Sequence, residues 1–179
     1  MHEQVSVLLT VIGPDRPGIV EAISGLVSEN DASWVESRMA RMASQFAGIL
    51  RVTVPSQKAD ELMKSLGTLG TRGLRVHVER DDGVRPNDAP KTIHLDLLGN
   101  DRPGIVREIS RVLAAHGVNI EELHTECVHA PMDGRELFKA TATLSVPPEL
   151  SLDKLRGTVE AIAGDLMVDV SFDEAPPKR

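Results

Sequence analysis

A repeated hexapeptide constrains this chain more than any other feature. The residues Asp-Arg-Pro-Gly-Ile-Val stand at positions 15–20 and recur, letter for letter, at positions 101–106. Ile23 and Ser24 recur in the same register as Ile109 and Ser110. Self-similarity at a fixed offset marks repeated structural units. The chain is therefore a tandem duplication, and each copy tests the interpretation of the other.

Each copy contains the same order of patterns. Residues 5–11 alternate as a strand does, and an apolar stripe at helical spacing begins at Ile19. We expect Pro17 to occupy the first helical position, where its missing N–H costs nothing. Strands at 32–42 and 46–54, a helix from residue 59 and a strand at 74–78 follow; the second copy repeats them at 118–128, 138–146, from 152 and at 166–172.

This order, βαββαβ, predicts an α+β fold of two ferredoxin-like units, each an antiparallel sheet with two helices on one face. We place the first domain at residues 1–80 and the second at residues 91–174. Residues 81–90 are polar and contain two prolines, which is typical of a linker, and residues 175–179 form a flexible tail. The free sheet edges of such units permit a homodimer.

Composition excludes several classes of protein. There are 20 basic against 27 acidic side chains, a net charge of −7, and 2% aromatic residues. Direct binding to nucleic acid is therefore not expected. We find no segment typical of a signal peptide or membrane span, and we expect a cytoplasmic protein without membrane association. The single cysteine, Cys127, excludes an internal disulfide.

The repeated motif has the chemistry of a zwitterion site. A strand that turns into a helix exposes unpaired backbone N–H groups at the positive end of a helix dipole, where a carboxylate binds well. Gly18 and Gly104 leave room for close approach, and Asp15 and Asp101 offer an anion to an ammonium group. The alternative is purely structural: the aspartate caps the helix, the proline starts it and the glycine eases the turn.

Both copies resemble ACT domains, small regulatory modules of βαββαβ fold that commonly bind amino acids. The resemblance rests on the two motifs and, in the second copy, on residues 116–120 (His-Gly-Val-Asn-Ile). A tandem pair without an attached enzyme is similar to the glycine cleavage system transcriptional repressor family. In ACT domains the ligand lies where two domains meet, between the first strand-to-helix turn of one domain and the second strand of the other.

Carried onto this sequence, the resemblance implies two ligand-binding sets. The second copy contributes Asn100, Asp101, Arg102, Pro103, Gly104 and Ile105, with Val118, Asn119 and Ile120, and the first contributes Pro14, Asp15, Arg16, Pro17, Gly18 and Ile19, with Ser33. ACT domains that bind amino acids often have Asn in place of Asp15 and Asp101, and Ser33 stands where the second copy has Asn119. We therefore expect the second copy to be the better site.

Nothing in the sequence predicts catalysis, a cofactor or a bound metal. Cys127 and His129 share one face of a strand, with His124 nearby, but no further ligand has metal-site spacing. We expect a non-catalytic regulator that senses a small amino acid; the resemblance implies glycine or serine, and action through a DNA-binding transcription activator. The alternative is a subunit that regulates a metabolic enzyme in trans.

Overall fold

The two copies fold with one element order. The structure, a computed structural model, describes residues 3–81, 91–129 and 136–174. The chain divides into unit 1, residues 1–85, and unit 2, residues 86–179. Unit 1 contains β1 (Gln4–Pro14), α1 (Ile19–Glu29), β2 (Ser33–Met42), β3 (Gln45–Pro55), α2 (Ala59–Gly67) and β4 (Arg75–Asp81). Unit 2 contains β5 (Lys91–Asn100), α3 (Ile105–Ala115), β6 (Asn119–His129), β7 (Glu136–Val146), α4 (Leu152–Leu166) and β8 (Val168–Glu174).

Each unit has one four-stranded sheet. The strand order is β2-β3-β1-β4 in unit 1 and β6-β7-β5-β8 in unit 2, and every neighbouring pair is antiparallel. The predicted ferredoxin-like βαββαβ arrangement is confirmed in both copies. Short 3₁₀ segments, Ser56–Lys58 and Thr68–Arg72, flank α2.

The core of each unit lies between the sheet and its two helices. Val7, Leu9 and Val11 are fully buried on one face of β1, as their alternation predicts. Ile23 of α1 and Leu62 of α2 cover them and are also fully buried. In unit 2 the same layer contains Ile93, Leu95 and Leu97 of β5, packed against the apolar faces of α3 and α4. Burial of these stripes drives each helix onto its sheet.

Some predicted segments fall outside the described residues. Asp81 ends β4, but the rest of the predicted linker, residues 82–90, and the predicted tail, residues 175–179, are not described. The same holds for residues 130–135, between β6 and β7. Among the described residues no helix has the length and hydropathy needed to cross a membrane.

Candidate functional site

The repeated motif forms the turn between the first strand and first helix of each unit. Gly18 has φ 91° and ψ 1°, and Gly104 has φ 101° and ψ −8°. These angles are those of the third residue of a type II turn, a turn in which proline is common at the second position. Pro17 therefore belongs to the turn. Our prediction that it starts the helix was wrong, because the left-handed glycine after it delays the helix to Ile19.

The helix ends at these turns are not capped by side chains. The first helical hydrogen bonds run from the Ala22 N–H to the Gly18 carbonyl (2.9 Å) and from the Glu108 N–H to the Gly104 carbonyl (3.0 Å). The three preceding N–H groups of each helix have no helical acceptor, and no side chain in the described part of the chain caps either end. The idea that the aspartate caps the helix was also wrong.

Space beside both glycines is open. Among the described residues, a Cβ added at Gly18 or at Gly104 would have no atom within 4 Å other than those of the adjoining residues. Glycine is needed at these positions because of the positive φ, not because of crowding. The turn therefore leaves room for a ligand next to the glycine that precedes each helix.

The two aspartates have different neighbours. Asp15 Oδ2 forms an ion pair with Arg41 Nε at 3.1 Å in unit 1. In unit 2 the side chain of Asp101 accepts a hydrogen bond from the Cys127 thiol. Desolvation, followed by the negative charges of Asp101 and Glu136, raises the pKa of that thiol, so it stays neutral. The charge of Asp15 is thus balanced by Arg41 within its own unit, whereas the partner of Asp101 carries no charge.

The motif arginines hold the turns in place. Arg16 donates from its guanidinium to the carbonyl of Arg72, and Arg102 Nη2 donates to the carbonyl of Asp165 at 3.1 Å. Arg16 thereby connects its turn to the 3₁₀ segment that follows α2, and Arg102 connects its turn to the last turn of α4. Ile19 and Ile105, which complete the motif sets, are buried in the cores below the turns.

Two further pairs of equivalent positions were missed in our reading of the sequence. Glu21 occupies the third position of α1, and Arg107 is its equivalent in α3. Arg41 and Cys127, which contact the aspartates, are equivalent as well. Glu21 in the first turn of α1 disfavours a carboxylate ligand there. The first turn of α3 contains both Arg107 and Glu108, and Glu108 pairs with Arg111 at 2.7 Å, so Arg107 makes that turn the more favourable of the two for a carboxylate. The fixed offset of the repeat was enough to find both pairs.

The second-strand residues of each predicted ligand-binding set lie far from the turn of the same unit. Asn119 pairs with Ser145, which in turn lies opposite Thr92, eight residues before Asn100 on β5. At about 3.3 Å per residue this places Asn119 roughly 26 Å from the Asp101 turn along the sheet of unit 2. Ser33 is related to the Asp15 turn in the same way. Within one unit the structure does not bring the two halves together.

His124 does not lie on the same face of the sheet as Cys127 and His129. His124 lies opposite Thr141 and Cys127 opposite Phe138, so the two point to opposite faces of the sheet. Over residues 3–81, 91–129 and 136–174, no group of three His, Cys, Asp or Glu side chains is placed to hold a metal ion.

The sequences of both units match one family. ACT-domain models match residues 6–79 and 94–157, and the chain belongs to this family, with two ACT domains in tandem.

Several curated relatives match nearly the whole chain. The glycine cleavage system transcriptional repressor of Escherichia coli strain K12 is 28% identical over 177 residues, 97% of this chain and 92% of the repressor. Phosphoserine phosphatase SerB2 of Mycobacterium tuberculosis is 27% identical over 180 residues, but this chain spans only 42% of that phosphatase. A crystal structure of an unknown protein from Galdieria sulphuraria has a TM-score of 0.85 and 30% identity, covering 97% of this chain and 100% of that one.

Proposed function

We propose that this protein is a non-catalytic cytoplasmic regulator that binds an amino acid at the Asp101–Gly104 turn and acts on a protein partner. The observation that carries the proposal is the uncapped first turn of α3, which is preceded by Asp101 and contains Arg107 together with Glu108, itself paired with Arg111. The N–H groups and Arg107 attract the ligand's carboxylate, and Asp101 accepts from its ammonium group.

In this proposal a second copy of the chain completes the site. Asn119 is exposed at the start of edge strand β6, at the far end of the sheet from the turn. Its amide can donate and accept, so Asn119 of one copy can hold either end of an amino acid bound at the turn of another copy. Binding and dimerisation would then be linked, because the complete site exists only in the dimer.

The partner we propose is a DNA-binding transcription activator. The similarity to the repressor covers nearly all of both chains, and the repressor's name describes transcriptional control of glycine cleavage. The net charge of −7 argues against direct contact with DNA. A small amino acid such as glycine or serine would then set how strongly the regulator binds the activator.

The second candidate function is control of a metabolic enzyme in trans. It is favoured by the match to 42% of phosphoserine phosphatase SerB2, a protein whose name describes an enzyme. The two functions differ in the partner, and the ligand site is the same in both.

Calorimetry with the common amino acids, followed by affinity capture, tests the proposal. We expect saturable binding with a Kd of micromolar to millimolar order, since one or two charge-assisted hydrogen bonds oppose the cost of association. The immobilised protein, with and without the bound amino acid, should then capture a transcription factor in one case or a metabolic enzyme in the other. The Asp101→Ala variant serves as the control. Absence of binding to every amino acid would refute the proposed function.

A further inference from the structure

The sheet of unit 1 has an apolar surface on the side that faces away from its helices. Because Val7, Leu9 and Val11 point into the core, the residues between them on β1 point the other way. The same alternation on β3 places Ile49 on this side, where its side chain is 50% exposed. We call this surface the outer face of unit 1. Its apolar members are Leu8, Ile12, Ala40, Ala47 and Ile49.

The outer face of unit 2 has a different composition on the same backbone. The equivalents of those five residues are, in the same order, His94, Leu98, Glu126, Lys139 and Thr141. Leu98 keeps the apolar character of Ile12, the other four are polar, and Lys139 pairs with Glu126 at 3.5 Å. The sheet therefore forms without an apolar outer face. Its presence in unit 1 indicates a surface that another molecule covers.

Large and small residues alternate across the two central strands of the outer face of unit 1. Ile49 of β3 lies opposite Thr10 of β1, and Ala47 of β3 lies opposite Ile12. When a second copy of this face is laid on it around a twofold axis along the strands, β3 of one copy lies over β1 of the other. Ile49 then lies over the partner's Thr10, and the partner's Ile12 lies over Ala47. A shallow depression of about 540 Å³, lined in part by Ala40 and Ala47, leaves room for that isoleucine.

The charges on the two halves of the outer face of unit 1 are complementary. The half formed by β2 and β3 carries a net charge of +1, from Arg38, Arg51 and Glu36. The half formed by β1 and β4 carries a net charge of −1, from Arg75, Glu79 and Asp81. The same twofold axis lays each half over the opposite half of the partner, so that Arg38 lies over the partner's β4, within reach of the partner's Glu79. Steric and charge complementarity thus favour the same orientation.

We propose that two copies of this chain associate through the outer face of unit 1, sheet against sheet, around a twofold axis along β1 and β3. The amino-acid site proposed above lies in unit 2 and uses the edge strand β6. The interface proposed here is a different surface and does not depend on the proposed function.

Sedimentation equilibrium of the full chain, without amino acids, tests this proposal. We expect a particle of twice the 19.4 kDa mass of the chain. Ile49→Lys introduces two buried charges per dimer and should raise the Kd of the dimer at least about 30-fold. Thr141→Lys, the same change at the equivalent position of unit 2, is the matched control and should leave the Kd unchanged. Since Ile49 is half exposed, the variant should fold, which circular dichroism checks.

An exchange of charges tests the orientation of the two copies. Arg38→Glu and Glu79→Arg should each raise the Kd of the dimer, because each places like charges across the interface. The double variant Arg38→Glu/Glu79→Arg restores opposite charges there and should recover most of the affinity. Both positions are exposed, so these variants also test the interface if Ile49→Lys does not fold.

A chain that stays monomeric at millimolar concentration would overturn the proposal. A dimer that survives Ile49→Lys in the folded protein, or one that Thr141→Lys dissociates, would overturn it as well, because the interface would then lie elsewhere. A double variant that dimerises no better than the single charge variants would overturn the twofold arrangement.

Discussion

In unit 1 the carboxylate of Asp15 lies 3.1 Å from Nε of Arg41. The equivalent aspartate of unit 2, Asp101, faces the neutral thiol of Cys127 instead. The duplication has thus kept the aspartate and changed its partner from a cation to a neutral group. A carboxylate that is already paired with a guanidinium gains less free energy from pairing with an ammonium ligand. The two turns are therefore not equivalent as binding sites.

Asp101→Ala should weaken amino-acid binding more than Asp15→Ala does. Loss of one charge-assisted hydrogen bond, about 1.5–3 kcal/mol, corresponds to a roughly ten- to hundredfold rise in Kd. Asp15→Ala should change the Kd by less than about threefold, because Asp15 belongs to the turn of unit 1 and already pairs with Arg41 there. Titration calorimetry on both variants measures this. Equal losses would mean that both turns bind.

The turn of unit 1 should bind an amino acid more tightly when it carries the residues found at the equivalent positions of unit 2. Glu21→Arg combined with Arg41→Cys reproduces the charges that Arg107 and Cys127 provide in unit 2. We expect the number of amino-acid sites per chain in calorimetry to rise from one to two. The reverse exchange in unit 2, Arg107→Glu with Cys127→Arg, is the matched control and should abolish binding. A grafted variant with unchanged stoichiometry would show that other residues decide which turn binds.

The pKa of the Cys127 thiol predicts slow modification near neutral pH. Desolvation, the charges of Asp101 and Glu136 and the hydrogen bond to Asp101 all raise this pKa, so the reactive thiolate becomes abundant only at a higher pH than in an ordinary cysteine. Asp101→Asn removes one negative charge and should lower the pKa. The rate of reaction with a disulfide reagent, measured against pH, should then rise at lower pH than in the unchanged protein.

Asp15→Asn, at the equivalent position in unit 1, is the control and should leave the labelling profile of Cys127 unchanged. If Asp101→Asn also left the profile unchanged, the contact between Asp101 and the thiol would not govern its ionisation.

The order of elements could be predicted from the sequence because the repeat supplied two readings of every pattern. The predicted strand at residues 32–42 agrees with β2, Ser33–Met42, to within one residue. The role of Pro17 could not be settled in this way, because proline suits both the first helical position and the second position of a type II turn. Only the backbone angles of Gly18 decide between the two.

The arrangement of the candidate site could be predicted less completely from the sequence, because the topology of the fold decides which of its residues lie close together. Asn119 follows the Asp101 turn by one helix, and that helix returns the chain to the opposite end of the sheet. The contact between Arg41 and Asp15 depends on the register of the β2–β3 hairpin, which sets Arg41 opposite Phe46. Alternation assigns residues to a face of the sheet, but cross-strand neighbours follow only from that register.

Close packing of β8 on β5 should make Gly99→Ala destabilising. A Cβ at Gly99 would lie 2.4 Å from Val168 Cγ1 and 2.8 Å from Val168 Cα, so the two strands would have to separate locally. Overpacking of this kind costs about 1–3 kcal/mol. Urea unfolding, followed by circular dichroism, gives the change in the free energy of unfolding.

Gly157→Ala is the matched control for this substitution, since it adds the same methyl group where nothing lies within 4 Å. Gly157 is inside α4, where alanine is favoured over glycine by about 0.5–1 kcal/mol. We therefore expect opposite signs: Gly99→Ala lowers the urea midpoint and Gly157→Ala raises it. A Gly99→Ala variant as stable as the unchanged protein would mean that β5 and β8 can move apart without cost, and that this close approach does not fix the end of β5 from which the Asp101 turn begins.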